Sequence, residues 1–538
     1  MRCHRILIVG IVLLLPAFPV YAKKKEARRT AKVTAVKSGA KLSSADGVFE
    51  RIKQKYVQKE ISKTTFWAAL QRLDKHETKL SNKNRADKLQ LQAELLLDDN
   101  YPIAATLIAL DALKQSKQPF TSRMSRAWSV IKSTARDHSI QSLLDDVALD
   151  IHRNGVKVPV LGNDWYYFAG NAYVKKGDRV KARQAYKRLR MSDRYFLPGK
   201  YQQALVHVEE NDLTQAESVL KMLTQKSAKI SSELSQKQII AIQNYAHLAL
   251  GRIYYEQKRF KEATLQYRSV DRDSLNFYDA LFEQSWALFM AGYPNHALGA
   301  LHSVDSPFYK QVYNPESLIL RSVVYYWMCR YDDSRNALAS FSEKYSATMD
   351  SLQDFLDRKR LSPNMAYRMF ENLVSGVSQA SLGIDVAVLQ SAAEKDSMLL
   401  LREEFASALK ELDRLEARGV LRLKHNNRLS TRPLRQYVNQ LKDNLGTQLI
   451  AELKTMKKDF DQLYDQAQFL YLELLMSEKE QLLGRNLHAS SKLNRVSLRR
   501  NIGVWGRDVQ SWAADDKDEY WWDEIGFYIY REPSMCSN

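Results

Sequence analysis

The chain has 538 residues, 45% of them hydrophobic and 27% charged, which is the balance of a polypeptide that buries a core. Glycine (19) and proline (12) are scarce, so collagen-like, low-complexity and turn-rich strand architectures are excluded and long helices are expected. The formal net charge is +19, and three cysteines are too few for a disulfide-built scaffold.

Arg2 and Arg5 precede an apolar run, Ile6–Val20, that ends in Val20-Tyr21-Ala22. A positive start, a short apolar segment and small residues before the break predict a signal peptide over 1–22, cleaved after Ala22. An uncleaved anchor is the alternative, but the run is short of the ~20 residues of a spanning helix and contains Pro16 and Pro19. Cleavage implies an exported, periplasmic protein. Residues 23–45 form a basic leader, expected to be disordered, with Lys23, Lys24, Lys25, Arg28, Arg29, Lys32, Lys37 and Lys41 against Glu26. Its functional reading is electrostatic: Lys23–Lys41 suits an anionic lipid or a cell-wall polymer. No nucleic-acid recognition module accompanies it.

Residues 46–160 show helical-pair patterning around Leu89–Leu113 and Trp128–Ile151. From 161 to 350 the chain repeats itself. Gly170-x2-Tyr173 is followed by Ala182-x3-Tyr186, and Gly251-x2-Tyr254 by Ala263-x3-Tyr267. Small residues let antiparallel helices approach, and the aromatics fill the space beside them. Ala216 and Ala297 lie 34 residues after Ala182 and Ala263, and Ser334 lies 37 after Ala297. The longer step between Ala216 and Ala263 predicts an insertion within Lys226–Gln238.

These residues resemble the tetratricopeptide repeat, a helix–turn–helix unit that stacks into a solenoid. The fold class expected is therefore all-α: a helical-repeat solenoid, a long helical hairpin and an aromatic C-terminal segment. The resemblance implies a concave face lined by each first helix. It would carry Tyr167, Asn171 and Lys175 from one unit, Leu248, Arg252 and Tyr255 from the next, then Phe282, Trp286, Phe289, Tyr326 and Trp327. Taken singly, Trp286 or Tyr326 is equally well a core residue; as a set they suggest an apolar groove that takes a protein partner.

Residues 351–487 change period. Leu401, Phe405, Ala408, Leu412 and Leu415 precede a breaker-rich connection, Gly419–Pro433. Leu434, Val438, Leu441, Leu445, Leu449, Leu453, Met456, Phe460, Leu463, Ala467, Leu470 and Leu474 then step by three or four, as in a coiled coil. A hairpin is expected, with a self-associating coil as its rival. Residues 488–538 are aromatic: Trp505, Trp512, Tyr520, Trp521, Trp522, Phe527, Tyr528 and Tyr530 require burial in the protein or in a partner. The stretch Glu519–Tyr528 resembles the C-terminal signature of repeat-containing envelope proteins of gliding and predatory bacteria, which would imply a role in surface motility or envelope assembly.

The signatures of catalysis are missing. There is no His-Glu-x-x-His, no glycine-rich phosphate loop and no Gly-x-Ser-x-Gly elbow, and Asp145, Asp146, Asp150 and His152 fit a solvated helix face. Neither a metal nor a cofactor is expected, nor an enzyme; a cell-wall hydrolase is the disfavoured alternative. The carboxylates of 515–524 lack the ligand alternation and glycine of a calcium loop. Cys329 and Cys536 survive cleavage and, in an oxidising compartment, are expected to bridge, folding the aromatic segment back onto the last repeats, over Tyr326 and Trp327; two unrelated thiols are the alternative.

Overall fold

The computed structural model describes residues 45–74, 79–115, 125–137, 140, 143–144, 148, 163–225, 234–310, 312–357, 361–376, 384–417, 428–483, 512–514 and 519–536. The expected signal peptide, the Lys23–Lys41 leader, most of the Lys226–Gln238 insertion, Asp145, Asp146, Asp150, His152 and Trp505 lie outside them. Among the described residues the chain is all-α, with nineteen helices and one pair of two-residue strands. None of these helices is long and apolar enough to cross a membrane. Two compact units form: one from residues up to Tyr195 with Leu400–Asn444, the other from Phe196–Leu399 with Leu445–Asn538. The division falls inside the 161–350 region.

The first unit contains α1 (Ala45–Val57), α2 (Lys63–Asp74), α3 (Asn82–Asp98), α4 (Pro102–Gln115), α5 (Ser125–Asp137), α6 (Trp165–Lys175) and α7 (Arg179–Lys187). Side chains satisfy the exposed amides that begin these helices: Ser81 accepts from the Asn84 N–H and Asp178 from that of Lys181. The contact between α6 and α7 is set by size. A Cβ built on Gly170 would lie 2.3 Å from the Tyr186 ring, so only glycine lets that ring lie flat on α6.

The second unit contains α8 (Phe196–Glu209), α9 (Leu213–Thr224), α10 (Gln236–Glu256), α11 (Phe260–Arg268), α12 (Phe277–Met290), α13 (Pro294–Val304), α14 (Glu316–Trp327), α15 (Tyr331–Leu356), α16 (Pro363–Val374) and α17 (Val386–Ala393). The Gly170 contact recurs here, with Tyr267 of α11 2.4 Å from a Cβ built on Gly251 of α10. Ser235 and Gln238 form a reciprocal capping box at the start of α10.

One connector geometry recurs. The turns after α1, α3, α6, α8, α10, α12 and α14 each pass through one left-handed residue: Lys59, Asn100, Gly177, Asn211, Lys258, Gly292 and Cys329. In each, the next N–H donates to the carbonyl five residues back, as from Tyr101 to Leu96, Arg259 to Tyr254 and Arg330 to Tyr325. This Schellman-type cap ends each helix and, in all but the first, leads directly into the next, antiparallel to it. At Lys258 (φ 62°) and Cys329 (φ 57°) the Cβ works against that conformation, at a cost of about 1 kcal/mol each.

Two long helices, α18 (Asp396–Ala417) and α19 (Arg428–Leu482), contribute to both units. The stripe from Leu434 to Leu474 is buried throughout. The expected connection is shorter than Gly419–Pro433, because α19 already begins at Arg428 and contains Pro433. Proline's fixed φ fits a helix, but at its sixth residue Pro433 removes the N–H bond to the Leu429 carbonyl and its ring crowds that carbonyl. In the first unit Arg435 pairs with Glu416, and the Tyr437 hydroxyl donates to Glu404, tying the start of α19 to α18. In the second, Ser397 donates to Glu452 at 2.6 Å, and Phe460 stacks on Phe341 of α15 at 5.4 Å.

Glu411 of α18 caps α4 within the first unit. Its two oxygens accept from the backbone N–H groups of Ile103 (3.0 Å) and Ala104 (2.7 Å). Burial pushes the carboxyl up to about 7, against the pull of those amides and of Arg414. The folded state therefore holds a proton, between pH 4.5 and about 7, that the unfolded chain has released. The stability from this group is complete below that window and is lost as pH rises through it, with a ceiling of about 3 kcal/mol. Amide exchange at Ile103 and Ala104, corrected for intrinsic rates, is expected to show opening becoming easier from pH 4.5 to 7.5. Glu411→Gln, which cannot titrate, is expected to flatten that slope, and an equally steep slope in the variant would remove Glu411 as its source.

Candidate partner-binding surface

The residues expected on a concave face divide sharply by burial. In the first unit, Tyr167 and Asn171 are each 1% exposed. Tyr167 stacks on Tyr195 at 4.7 Å, and the Asn171 carbonyl accepts from the Tyr186 hydroxyl at 2.7 Å. Both belong to the packing between helices, which corrects their placement on an open groove. Asn171 is drawn inward because a buried Tyr186 hydroxyl needs an acceptor. Lys175, at the end of α6, is exposed.

In the second unit Arg252 makes a bidentate ion pair with Glu283, its side chain only 13% exposed. Burial opposes the guanidinium's charge, but Glu283, close by and hydrogen-bonded, together with Asp279, holds its pKa above the ordinary arginine value. A doubly bonded buried pair has little capacity left for a ligand, so Arg252 fixes α10 to α12. Tyr255 is half-buried, its ring edge-on to Phe260 at 5.3 Å.

The later aromatics do come together. Trp286 and Phe289 of α12 meet edge-to-face at 6.5 Å, and Phe289 meets Trp327 of α14 in the same way at 6.4 Å. The Trp286 indole N–H donates to Glu316 at 3.1 Å, which fixes the first ring. Trp286 and Phe289 are half-buried and Trp327 is 36% exposed, so the row has a buried end and an open end. Tyr326 points elsewhere, its hydroxyl within 3.0 Å of Ser477 in α19. Phe282, like Trp286 and Phe289, is half-buried and packs against the core that includes α13, and it makes no ring contact with the row.

The C-terminal segment folds back as a strap across α12–α14. Cys329 and Cys536 form a disulfide. Strand β1 (Trp512–Ala513) pairs in parallel with β2 (Tyr528–Ile529). Ile525, Tyr528 and Tyr530 are buried, and one face of α13 receives them. Ser303 accepts from the Gly526 N–H at 2.8 Å, the Asn295 carbonyl from that of Tyr530 at 3.0 Å, and the Asn295 amide donates to the Glu532 carbonyl. His302 stacks on Tyr520 at 4.3 Å and meets Tyr528 edge-on at 4.8 Å. Arg330 pairs with Glu532, and the Met535 N–H donates to the Met328 carbonyl at 2.9 Å.

Two expectations about this segment need correction. It leaves the Trp327 side chain 36% exposed and meets the backbone there, with the Cys536 sulfur 3.6 Å from the Trp327 carbonyl oxygen, and it seats on Met328 and Arg330 immediately after. Nor is the whole aromatic run buried. Trp512, Trp521 and Trp522 remain exposed, because a strap lying on α13 presents one edge to the helix and the other to solvent.

Among the described residues no group of three His, Cys, Asp or Glu side chains is placed to hold a metal ion. Sequence reasoning missed the surface of α13 that receives the strap. Asn295, Gly299, His302 and Ser303 share one helix face by their spacing, but nothing local marks that face as occupied. No family model matches the chain, and a search of the curated proteins finds no match.

Proposed function

We propose that this chain is a non-enzymatic, exported scaffold built of tetratricopeptide-like helix pairs, which grips protein segments in an envelope-assembly or surface-motility machine. The observation that carries the reading is the recurrence of one left-handed helix cap, seven times among the described residues, six of them leading directly into the next helix. It is reinforced by the repeated glycine–tyrosine contact at Gly170/Tyr186 and Gly251/Tyr267. Repetition of one unit supplies a surface with periodic positions, and such surfaces serve recognition. Trp286, Phe289 and Trp327 form its most suitable grip, with a fixed inner ring and an accessible outer one. The Cys329–Cys536 bridge supports an oxidising compartment, which fits the expected signal peptide.

The test combines substitution with salt. Trp327→Ala, at the exposed end, is expected to weaken binding of the native partner by at least about tenfold and to leave the melting temperature nearly unchanged. Raising salt from 0.15 to 1 M is expected to change that affinity little, because apolar contacts are not screened. Affinity that survives Trp327→Ala, or that collapses in salt, would point instead to charge-driven binding of an anionic lipid or cell-wall polymer.

A further inference from the structure

The last twenty residues of α19 carry apolar side chains on two opposite faces. One face holds Leu463, Ala467, Leu470 and Leu474, all buried in the second unit. At 100° per residue, Phe469, Leu472 and Met476 fall on the far side, as does Leu483, the residue that follows the helix and still bonds back to Lys479, and they are 70%, 56%, 64% and 56% exposed. Leu475 and Leu482, 41% and 88% exposed, widen this second stripe. A helix on the surface of a globular unit needs only one apolar face. The second has no partner among the described residues.

We propose that this stripe pairs with the same stripe of a second copy of the chain. The area suits that occupant. Weighted by their exposure, the six side chains present about 650 Å² per copy, beyond a chance surface patch. A symmetric pair could bury at most about 1,300 Å², a ceiling that reaches the range of stable specific interfaces. The spacing suits it too: Phe469, Leu472, Met476 and Leu483 step by three, four and seven, which is the seam of a two-helix coil. Lys479 falls at the position that completes the heptad, where a long side chain reaches out of the seam while its stem lines it. Asp465 closes the stripe one turn before Phe469, and Glu473 and Glu480 border it, while Asp461 and Glu478 are paired with Lys457 and Arg335; the remaining negative charge disfavours an anionic membrane surface as the alternative. The inference is independent of the aromatic row on α12 and α14.

The mature protein at about 10 µM is expected to sediment as a dimer. Leu472→Glu with Met476→Glu places an unpaired charge at the seam and is expected to weaken dimerisation by at least about 100-fold, with helical content unchanged. Phe469→Ser, a milder change at an exposed site, is expected to weaken it in the same direction. A wild-type monomer at 100 µM would overturn the proposal, whether residues 464–483 then proved free, covered by this chain's own 484–511, or held by another protein. So would a dimer that both variants leave intact.

Discussion

Replacing Gly299 with alanine is expected to lift the C-terminal strap from α13, although the same change in most exposed helices adds stability. Alanine normally gains close to 1 kcal/mol over glycine within a helix. Here a Cβ would sit 1.9 Å from the Tyr528 carbonyl oxygen and 2.4 Å from its carbon. Those are backbone atoms of β2, held on the other side by β1, so no side chain can turn away to make room. The strap must move, and Ile525, Tyr528 and Tyr530 lose their seats together. Overpacking against an unyielding neighbour costs about 2–3 kcal/mol. Amide exchange at Gly526 and Tyr530 is then expected to quicken at least about 30-fold. The disulfide still retains the end of the segment at Cys536, so full release is expected only when the variant is also reduced. Unchanged exchange at both amides would mean that the strap is not seated as described.

Gly446 is expected to be equally intolerant. In α19 it faces the start of α16, and a Cβ there would lie 1.8 Å from the Pro363 carbonyl oxygen and 2.5 Å from its carbon. Pro363 is the first residue of a helix capped by Ser362, which accepts from the Met365 N–H. The two backbones meet with no side chain between them. Gly446→Ala is expected to cost about 2–3 kcal/mol, seen as a fall of about 5–10 °C in the thermal transition of the second unit. Gly376→Ala is a poor control because φ there is +69°. Ala451→Ser, on the same helix at an exposed position, is the better one, expected to change stability by about 0.5 kcal/mol or less.

The contrast between these glycines and the repeat glycines shows what a sequence can carry. Gly170 and Tyr186 are 16 residues apart, as are Gly251 and Tyr267, so one helix–turn–helix period contains both partners and the pattern is visible on the line. The buried stripe of α19 was legible for the same reason, since an unbroken run of three- and four-residue steps allows only one face. The cysteine pair was reached by another route, from compartment and count. Gly299 meets Tyr528 and Gly446 meets Pro363 across long stretches of chain, and no local period encodes such a meeting. Glu411 is the extreme case, a cap supplied to α4 from about three hundred residues away. The concave-face residues were only partly legible. Helical phase assigns Asn171 and Arg252 to a face, but it cannot reveal that Tyr186 and Glu283 draw them inward. The connectors lay between these cases. Asn100 and Asn211 are ordinary left-handed residues, whereas Lys258 and Cys329 gave no sign of theirs.

The most direct test of the scaffold reading is site-specific photo-crosslinking from position 327 in the cell envelope. A photoreactive side chain in place of Trp327, at the open end of the row, is expected to capture one defined second polypeptide. Phe289→Ala in the same protein is expected to abolish that adduct while the helical content is kept, with some fall in melting temperature because Phe289 also packs on the core. Adducts confined to the chain itself, to lipid or to glycan would contradict the account. So would a polypeptide adduct indifferent to Phe289.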